Sequence, residues 1–365
     1  MTPSMYGKSD KILTPEQQAV FDQALAFIAA SRVDRPYFLY EGLAGTGKTV
    51  VLSELAHALP RATMCAFTGK AASNLSRKTG LMASTIHSAI YQFLGEDRET
   101  KRLMFKEKVD IGGWTGAVAL VDESSTVSVQ LGQDLLRTGA RVIACGDPGQ
   151  LPPVGGEPFF QGADARLETV HRQAWDSPII RQAHRVRHGG GYAADGPDFR
   201  VQRWISPEEI LGAGIVLCWK NATRMYLNRL VRAHRLGLHD MLAPEPLHAG
   251  EPVMFLRNDY KYNVLNGAIY ELQEDRRPWE GFCIVNEQGD AVEVPGRLED
   301  YEPSVEGRDQ VPFCLGYCAT VHKYIGSEAD HVILVDEYNR EEDYARWSYT
   351  GITRAVKSII IQRDW

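Results

Sequence analysis

The segment Gly42-Leu43-Ala44-Gly45-Thr46-Gly47-Lys48-Thr49 constrains the fold of this chain more than any other stretch. It has the Gly-x-x-x-x-Gly-Lys-Thr spacing of a Walker A turn, follows the apolar run Tyr37–Tyr40 and precedes the helical stretch Val50–Leu59. A strand, a Gly-rich turn and a helix in that order aim backbone N–H groups and the positive helix end at a phosphate. Lys48 then reaches the β and γ oxygens, and the Thr49 hydroxyl can ligate Mg2+. Both flanks are right, so a chance Gly-rich turn is a poor account of these eight residues.

Such a turn demands a parallel sheet around it, and the apolar runs supply one. Tyr37–Tyr40, Ala62–Phe67, Ala117–Val121 and Arg141–Cys145 read as buried strands, each followed by turn or helix signals. A second set starts at Ile215–Trp219 and resumes at Cys314–Ala319, Val332–Val335 and Ser358–Gln362. Between its pieces, Pro252–Leu256, Ala268–Leu272, Phe282–Val285 and Ala291–Val294 alternate like strands of a small β-barrel, with Asn266-Gly267 as a hairpin turn. The reading is an α/β chain. A first α/β domain would span 1–168, a second would be split over 169–244 and 313–365, and the barrel would fill 245–312. With 365 residues, 44% of them hydrophobic, the chain can bury more than one core.

Two further elements belong with a phosphate site. Ala117-Val118-Ala119-Leu120-Val121-Asp122-Glu123 is an apolar strand ending in two acids, about seventy residues beyond the Gly-rich turn. There Asp122 would hold Mg2+ and Glu123 would polarise an attacking water. Arg141–Cys145 runs into Gly146-Asp147-Pro148-Gly149-Gln150, where Gln150 suits a sensor of the γ-phosphate. Taken alone, either would be an ordinary strand end or turn.

Composition excludes some classes. No apolar run reaches about 18 residues, and the N-terminus lacks the basic flank and apolar core of a secretion signal. The expectation is a soluble, intracellular protein without membrane contact. Six scattered cysteines read as small core residues in a reducing compartment. Cys314, Cys318 and His322 lack the fourth ligand that zinc needs. A net charge of −7 means that any nucleic-acid contact must be confined to a groove.

Taken in order, the motifs resemble superfamily 1 helicases of the RecD/Dda-like branch, over about residues 12–361. Leu13-Thr14-Pro15-Glu16-Gln17 resembles the Q-motif, with Gln17 reading adenine. Ala66 to Ala72 resembles motif Ia, Ser84 to Ser88 the Thr-x-His segment, Val121 to Ser125 motif II and Gly146 to Val154 motif III. Thr169-Val170-His171-Arg172-Gln173 is similar to motif IV. Thr320-Val321-His322-Lys323 with Gly326-Ser327-Glu328 is similar to motif V, and Tyr349 to Ala355 to motif VI.

What the resemblance implies is two RecA-like P-loop domains with ATP and Mg2+ in the cleft between them. Arg172 and Arg354 would be arginine fingers, and Glu328 would join the nucleotide site. Each arginine alone would read as an ordinary surface charge. Thr68, Lys70, Thr85 and His87 would line the DNA track in the first domain, and Asn221, Thr320, His322 and Lys323 in the second. The two histidines read equally as structural groups at element ends. A hairpin at about 91–113 would be a pin at the fork, with Phe105 or Phe93 stacking on the last base pair or anchoring the hairpin. The barrel at 245–312 resembles the SH3-like insertion of this branch.

The implied activity is ATP-dependent translocation on single-stranded DNA, 5′→3′, with unwinding of forked duplexes. The alternative is an ATP-dependent DNA-binding switch or loader with weak unwinding. A nucleotide transferase would need an acceptor pocket and lid in place of the second-domain arginines. The partners implied are single-stranded and forked DNA and replication or repair proteins. The chain resembles a minimal, monomeric, phage-type motor of the cytoplasm of a bacterial or phage-infected cell. Two departures from the family pattern stand out: Tyr324-Ile325 in motif V, where a small residue and Gln are usual, and Phe67 in place of a proline in motif Ia.

Overall fold

Strand β1 (Tyr37–Gly42) alternates its side chains between two cores, as a strand inside a parallel sheet must. Phe38 and Tyr40 face one side with Val51, Leu55 and Ile143, and Leu39 faces the other with Leu131, Leu135 and Val142. The computed structural model describes residues 11–363 except 31–34, 60, 97–102, 108–115, 154–155, 172–174, 242–245, 258, 260, 263, 278–280, 287–288 and 301–310. It divides into two compact units, Met1–Ile180 and Arg181–Trp365.

In the first unit β1 is joined by β2 (Ala62–Ala66), β3 (Ala83–Thr85), β6 (Val118–Val121), β7 (Arg141–Gly146) and β8 (Ala165–Leu167). The order is β3-β2-β6-β7-β1-β8 and every pairing is parallel. Helices α1 (Pro15–Ala29) and α2 (Lys48–Ala58) cover the face that holds Val20, Leu52 and Leu55. α4 (Ile86–Ile90) and α5 (Val129–Arg137) cover the other, and α3 (Gly69–Thr79) follows β2. Leu52 and Leu55 are wholly buried, worth about 1.5–3 kcal/mol each in transfer free energy.

Local chemistry sets where these helices start. Thr14 and Gln17 form a reciprocal capping box with Pro15 in the first turn of α1, while Thr68, Thr85 and Ser128 accept the first free N–H groups of α3, α4 and α5. Between α4 and β6, β4 (Tyr91–Glu96) and β5 (Leu103–Glu107) form an antiparallel pair, irregular between Phe93 and Gly95.

The second unit has a five-stranded parallel sheet made of β9 (Phe199–Gln202), β10 (Ile215–Cys218), β17 (Cys318–Thr320), β18 (Ala329–Val335) and β19 (Ala355–Gln362). Its order is β17-β10-β18-β19-β9. Three helices accompany it, α7 (Pro207–Gly212), α8 (Asn221–Leu236) and α9 (Glu341–Ile352), while α6 (Pro178–Arg187) spans the division between the units.

The strands between α8 and β17 form a four-stranded sheet, β12 (Ile269–Glu271), β11 (Pro252–Phe255), β16 (Val311–Leu315) and β15 (Gly296–Leu298), and a hairpin, β13 (Phe282–Val285) with β14 (Ala291–Val294). They share one continuous core with the parallel sheet: Phe255, Phe282 and Phe313 belong to the same cluster as Val216, Val231 and Ile333. A buried ion pair ties α8 to this region. Arg232 Nε lies 2.7 Å from Glu251 Oε1, and the same carboxylate accepts the Tyr317 hydroxyl at 3.0 Å and the His248 N–H at 2.7 Å.

Two local expectations change. The run Cys314–Ala319 is two strands rather than one, because Gly316 bends the chain from the four-stranded sheet into the parallel one while its N–H donates to Pro252 O at 2.7 Å. A Cβ on Gly316 would lie 2.9 Å from Ile269 Cγ2 and 3.0 Å from Pro252 Cβ. Asn266-Gly267 does not join two strands directly. It forms the turn that feeds β12, closed by Ala268 N–H to Leu265 O at 3.1 Å. Among the described residues, no helix is long and apolar enough to cross a membrane.

Candidate functional site

The Gly-rich turn sits between β1 and α2, with Gly45 and Gly47 at φ of 86° and 85°, a region that favours glycine. Gly47 has a second reason to lack a side chain: a Cβ there would lie 2.2 Å from Gln17 Nε2 and 2.9 Å from His171 Nε2. At Gly42 a Cβ would lie 2.5 Å from Thr46 Oγ1. Thr46 closes the loop by donating its hydroxyl to Leu43 O at 2.9 Å. Ala44 completes the loop and is half-buried.

Lys48 opens α2 and folds back across the loop, donating to Gly42 O at 2.7 Å and Leu43 O at 3.1 Å. Its ammonium also lies 3.8 Å from the buried Asp147 carboxylate. Thr49 Oγ1 donates to Asp122 Oδ2 at 3.4 Å, so the helix start and the end of β6 meet. The other Asp122 oxygen accepts Glu123 N–H at 2.9 Å and the Cys145 thiol at 3.1 Å. Burial, and then the Asp122 charge, push the Cys145 thiol well above the usual thiol range, so it stays a neutral donor. Glu123 adopts φ 53° and ψ 40°, the left-handed region, at a cost of about 1–2 kcal/mol for an ordinary L residue.

Gln150 follows β7 and is buried, and its Oε1 has no hydrogen-bond partner among the described residues. A buried orphan acceptor in the loop that also carries Asp147 is what a missing ligand or water leaves behind. The donor set is therefore suited to a nucleoside triphosphate with a divalent cation: an ammonium, a hydroxyl, two carboxylates and a Gly-rich turn.

The first turn of α1 is heavily engaged by other parts of the chain. Gln17 accepts Thr14 N–H at 3.1 Å, donates to Thr46 O at 3.4 Å and lies 2.8 Å from His171 Nε2. Glu16 accepts Glu168 N–H at 2.8 Å and Thr169 N–H at 3.1 Å, and His171 N–H reaches Gly45 O at 3.1 Å. The net effect of those two backbone donors holds the Glu16 carboxyl below its ordinary range, although burial, the largest influence, pushes the other way. The segment after β8 is thus stitched to both α1 and the Gly-rich turn. Arg172, the next residue, lies outside the described residues.

In the second unit Arg354 is buried, not a surface charge. Its guanidinium donates to Thr350 O at 3.0 Å, Ser327 O at 3.4 Å and Thr353 Oγ1 at 3.1 Å, which are all neutral acceptors. Glu328 is half-buried nearby and its carbonyl accepts the Tyr324 hydroxyl at 3.2 Å. Tyr324 and Ile325, the departures in motif V, are both buried packing residues.

The residues expected on a DNA track fall at strand ends where helices begin. Thr68 lies just beyond β2, and Thr85 and Thr320 end β3 and β17; each caps the turn that follows, accepting Ala71, Ser88 and Lys323 N–H. The Thr85 hydroxyl is committed further, donating to Ser88 Oγ at 2.9 Å. Lys70 is half-buried in the first turn of α3. His87 lies between Phe67 and Tyr91, with ring centroids 6.4 and 5.7 Å away, and burial pulls its pKa down. Burial does the same to His322.

Asn221 is exposed at the start of α8, with its side-chain oxygen accepting Arg224 Nε at 3.4 Å. Lys323 instead turns inward, donating to Asn266 Oδ1 at 3.0 Å and Leu256 O at 3.5 Å, and burial lowers its pKa. Phe105 on β5 is paired in register with Phe93 on β4. Sequence reasoning left Asp147, Glu16 and His171 without roles. Asp147 lies within motif III and was open to notice there, whereas the other two acquire meaning only through contacts more than 100 residues away in the chain.

Residues 13–196, half of the chain, match the family described as an AAA domain, and residues 315–361 match a UvrD-like helicase C-terminal domain. The chain is 30% identical to the ATP-dependent RecD2 DNA helicase of Deinococcus radiodurans, over 95% of this chain and 48% of that protein. It is 26% identical to the ATP-dependent DNA helicase PIF1 of Saccharomyces cerevisiae, over 72% of this chain and 36% of that one. It therefore spans half or less of these curated relatives. In fold it is similar to Bacteroides Pif1 bound to single-stranded DNA, with a TM-score of 0.61, 19% identity and coverage of 97% and 93% of the two chains. The chain belongs to this AAA-domain family, and within it to the RecD/Pif1-like branch of the superfamily 1 helicases.

Proposed function

We propose that this chain is an ATP-driven DNA helicase that moves 5′→3′ along single-stranded DNA and opens forked duplexes. The observation that carries the reading is the convergence on one Gly-rich turn of Lys48, Thr49, Asp122 and Asp147. In this reading Lys48 leaves the loop carbonyls for the stronger acceptors of a β,γ-phosphate, and Thr49 and Asp122 hold Mg2+. Bound Mg2+ would supply neutralising charge at the phosphates. Glu123, fixed at the mouth of β6, polarises the attacking water, and Gln150 uses its unpaired oxygen to orient it.

Arg172 and Arg354 are assigned the transition-state charge. Arg354 suits that role because, among the described residues, its guanidinium is held by neutral oxygens and no carboxylate takes up its charge. Gln17 and Glu328 complete the nucleotide set. Thr68, Lys70, Thr85, His87, Asn221, Thr320, His322 and Lys323 form the DNA track, aided by the helix starts that gather beside the caps. The β4–β5 pair acts as the pin, with Phe105 as its base contact, and the sheet of β11, β12, β15 and β16 with the β13–β14 hairpin is an SH3-like insertion.

Hydrolysis measured with and without single-stranded DNA tests this directly. The expected result is Mg2+-dependent ATP turnover that rises at least tenfold on adding the strand. Turnover indifferent to DNA would overturn the motor reading and favour a nucleotide transferase.

A further inference from the structure

Outside the groups already assigned, the C-terminal ends of β10 and β18 bring together aromatic and cationic side chains. The two strands are parallel neighbours, in register from Ile215↔Val332 to Leu217↔Leu334. Trp219 and Lys220 follow β10 directly, and Tyr338 and Arg340 follow β18. The Trp219 and Tyr338 rings are 4.7 Å apart and tilted by 54°, while Tyr338 stacks at 5.1 Å and 20° on the fully buried Trp347. Two rings rooted in the core therefore back a half-buried indole.

Over that indole stand two cations, Lys220 Nζ at 5.3 Å and the Arg340 guanidinium at 5.8 Å from the ring centroid. Neither has a carboxylate partner among the described residues. The adjacent acid spends its oxygens on neutral donors: Glu337 Oε1 accepts Trp219 N–H at 3.0 Å and Lys220 N–H at 2.8 Å, and Oε2 accepts the Thr223 hydroxyl at 2.6 Å. Those bonds fix the backbone that carries Trp219 and Lys220. A supported indole with two cations beside it, neither of them in a salt bridge among the described residues, combines the features that bind a single strand, a ring for a base and positive charge for the flanking phosphates. The outer ends of parallel strands are also where such sheets meet ligands.

We propose that Trp219 is a base-stacking platform for single-stranded DNA in the second unit, with Lys220 and Arg340 as its phosphate contacts. The assignment rests on the helicase reading and extends its track to three residues that no motif names. The test is binding of a fluorescently labelled single-stranded oligonucleotide and of an equally long strand of abasic sites, each over a range of salt. Trp219→Ala and Trp219→Leu should weaken the base-bearing strand about tenfold and leave the abasic strand nearly unchanged. Trp219→Phe, which keeps a ring, should stay within about threefold of the parent.

Arg340→Ala should weaken both strands and lower the salt slope by about one. Parent-like binding by both ring-deleting variants, or equal losses on the two strands, would overturn the proposal, and Trp219→Leu guards against a folding artefact of the smaller side chain. Failure of the parent chain itself to bind either strand would instead sink the helicase reading.

Discussion

Lys48 is held by two carbonyls of its own loop and by the nearby Asp147 charge, so it is poised for phosphate without carrying any of the core. Lys48→Ala should accordingly abolish ATP turnover while shifting thermal stability by less than about 1 kcal/mol, the net worth of such hydrogen bonds. Residual hydrolysis near the parent rate would move the site elsewhere. Glu123 makes the opposite trade, since its left-handed backbone is strained. Glu123→Asn, better suited to that conformation, should raise stability by about 0.5–1 kcal/mol and cut turnover by orders of magnitude, read by thermal melts beside an ATPase assay. Unchanged turnover would remove Glu123 from the chemistry. Lys48, Thr49 and Asp122 are legible in the sequence because spacing from a Gly-rich turn and a strand end fixes them. The strain at Glu123 is not legible, because nothing about a glutamate announces positive φ. Nor is the Gln17–His171 contact, which joins positions 154 residues apart.

At the scale of elements, apolar runs mark β1, β2, β6 and β7 to within one or two residues, because strands buried on both faces tolerate little else. The break at Gly316 escapes that logic, since the run from Cys314 to Ala319 stays apolar while its halves join different sheets. The caps show a further limit. Thr68, Thr85 and Thr320 read as DNA contacts by resemblance, yet each hydroxyl also serves a helix or turn start, so its removal will cost stability as well as any grip.

Asp300 is another group invisible in the sequence. It is fully buried, accepts Leu315 N–H at 2.6 Å and Asn228 Nδ2 at 3.1 Å, and burial pushes its carboxyl up to about 6 against the pull of Arg224. A carboxyl raised on folding contributes stability below its unfolded pKa and loses it as pH rises through the folded one. Between about pH 4 and 6 the parent should therefore lose stability relative to Asp300→Asn, by at most about 1.4 kcal/mol per pH unit. A difference that stays flat across that window would show that Asp300 does not carry the effect.

At the scale of the whole molecule, two parallel sheets bring helix starts, hydroxyls and cations to strand ends in a chain whose net charge is −7. Attraction to nucleic acid must then come from local groups such as Lys70, Lys220 and Arg340 rather than from an overall field, and binding should weaken steeply with salt. Family membership accounts for the motifs, and the chain's coverage of half or less of its curated relatives leaves the activity of this stretch to be measured on its own. The decisive experiment is strand displacement from duplexes carrying a 5′ or a 3′ single-stranded tail, with ATP and Mg2+, beside Lys48→Ala. The account predicts release of the strand from the 5′-tailed and forked substrates, none from the 3′-tailed one and none with the variant. Tight binding and ATP turnover with no strand released from any substrate would contradict it.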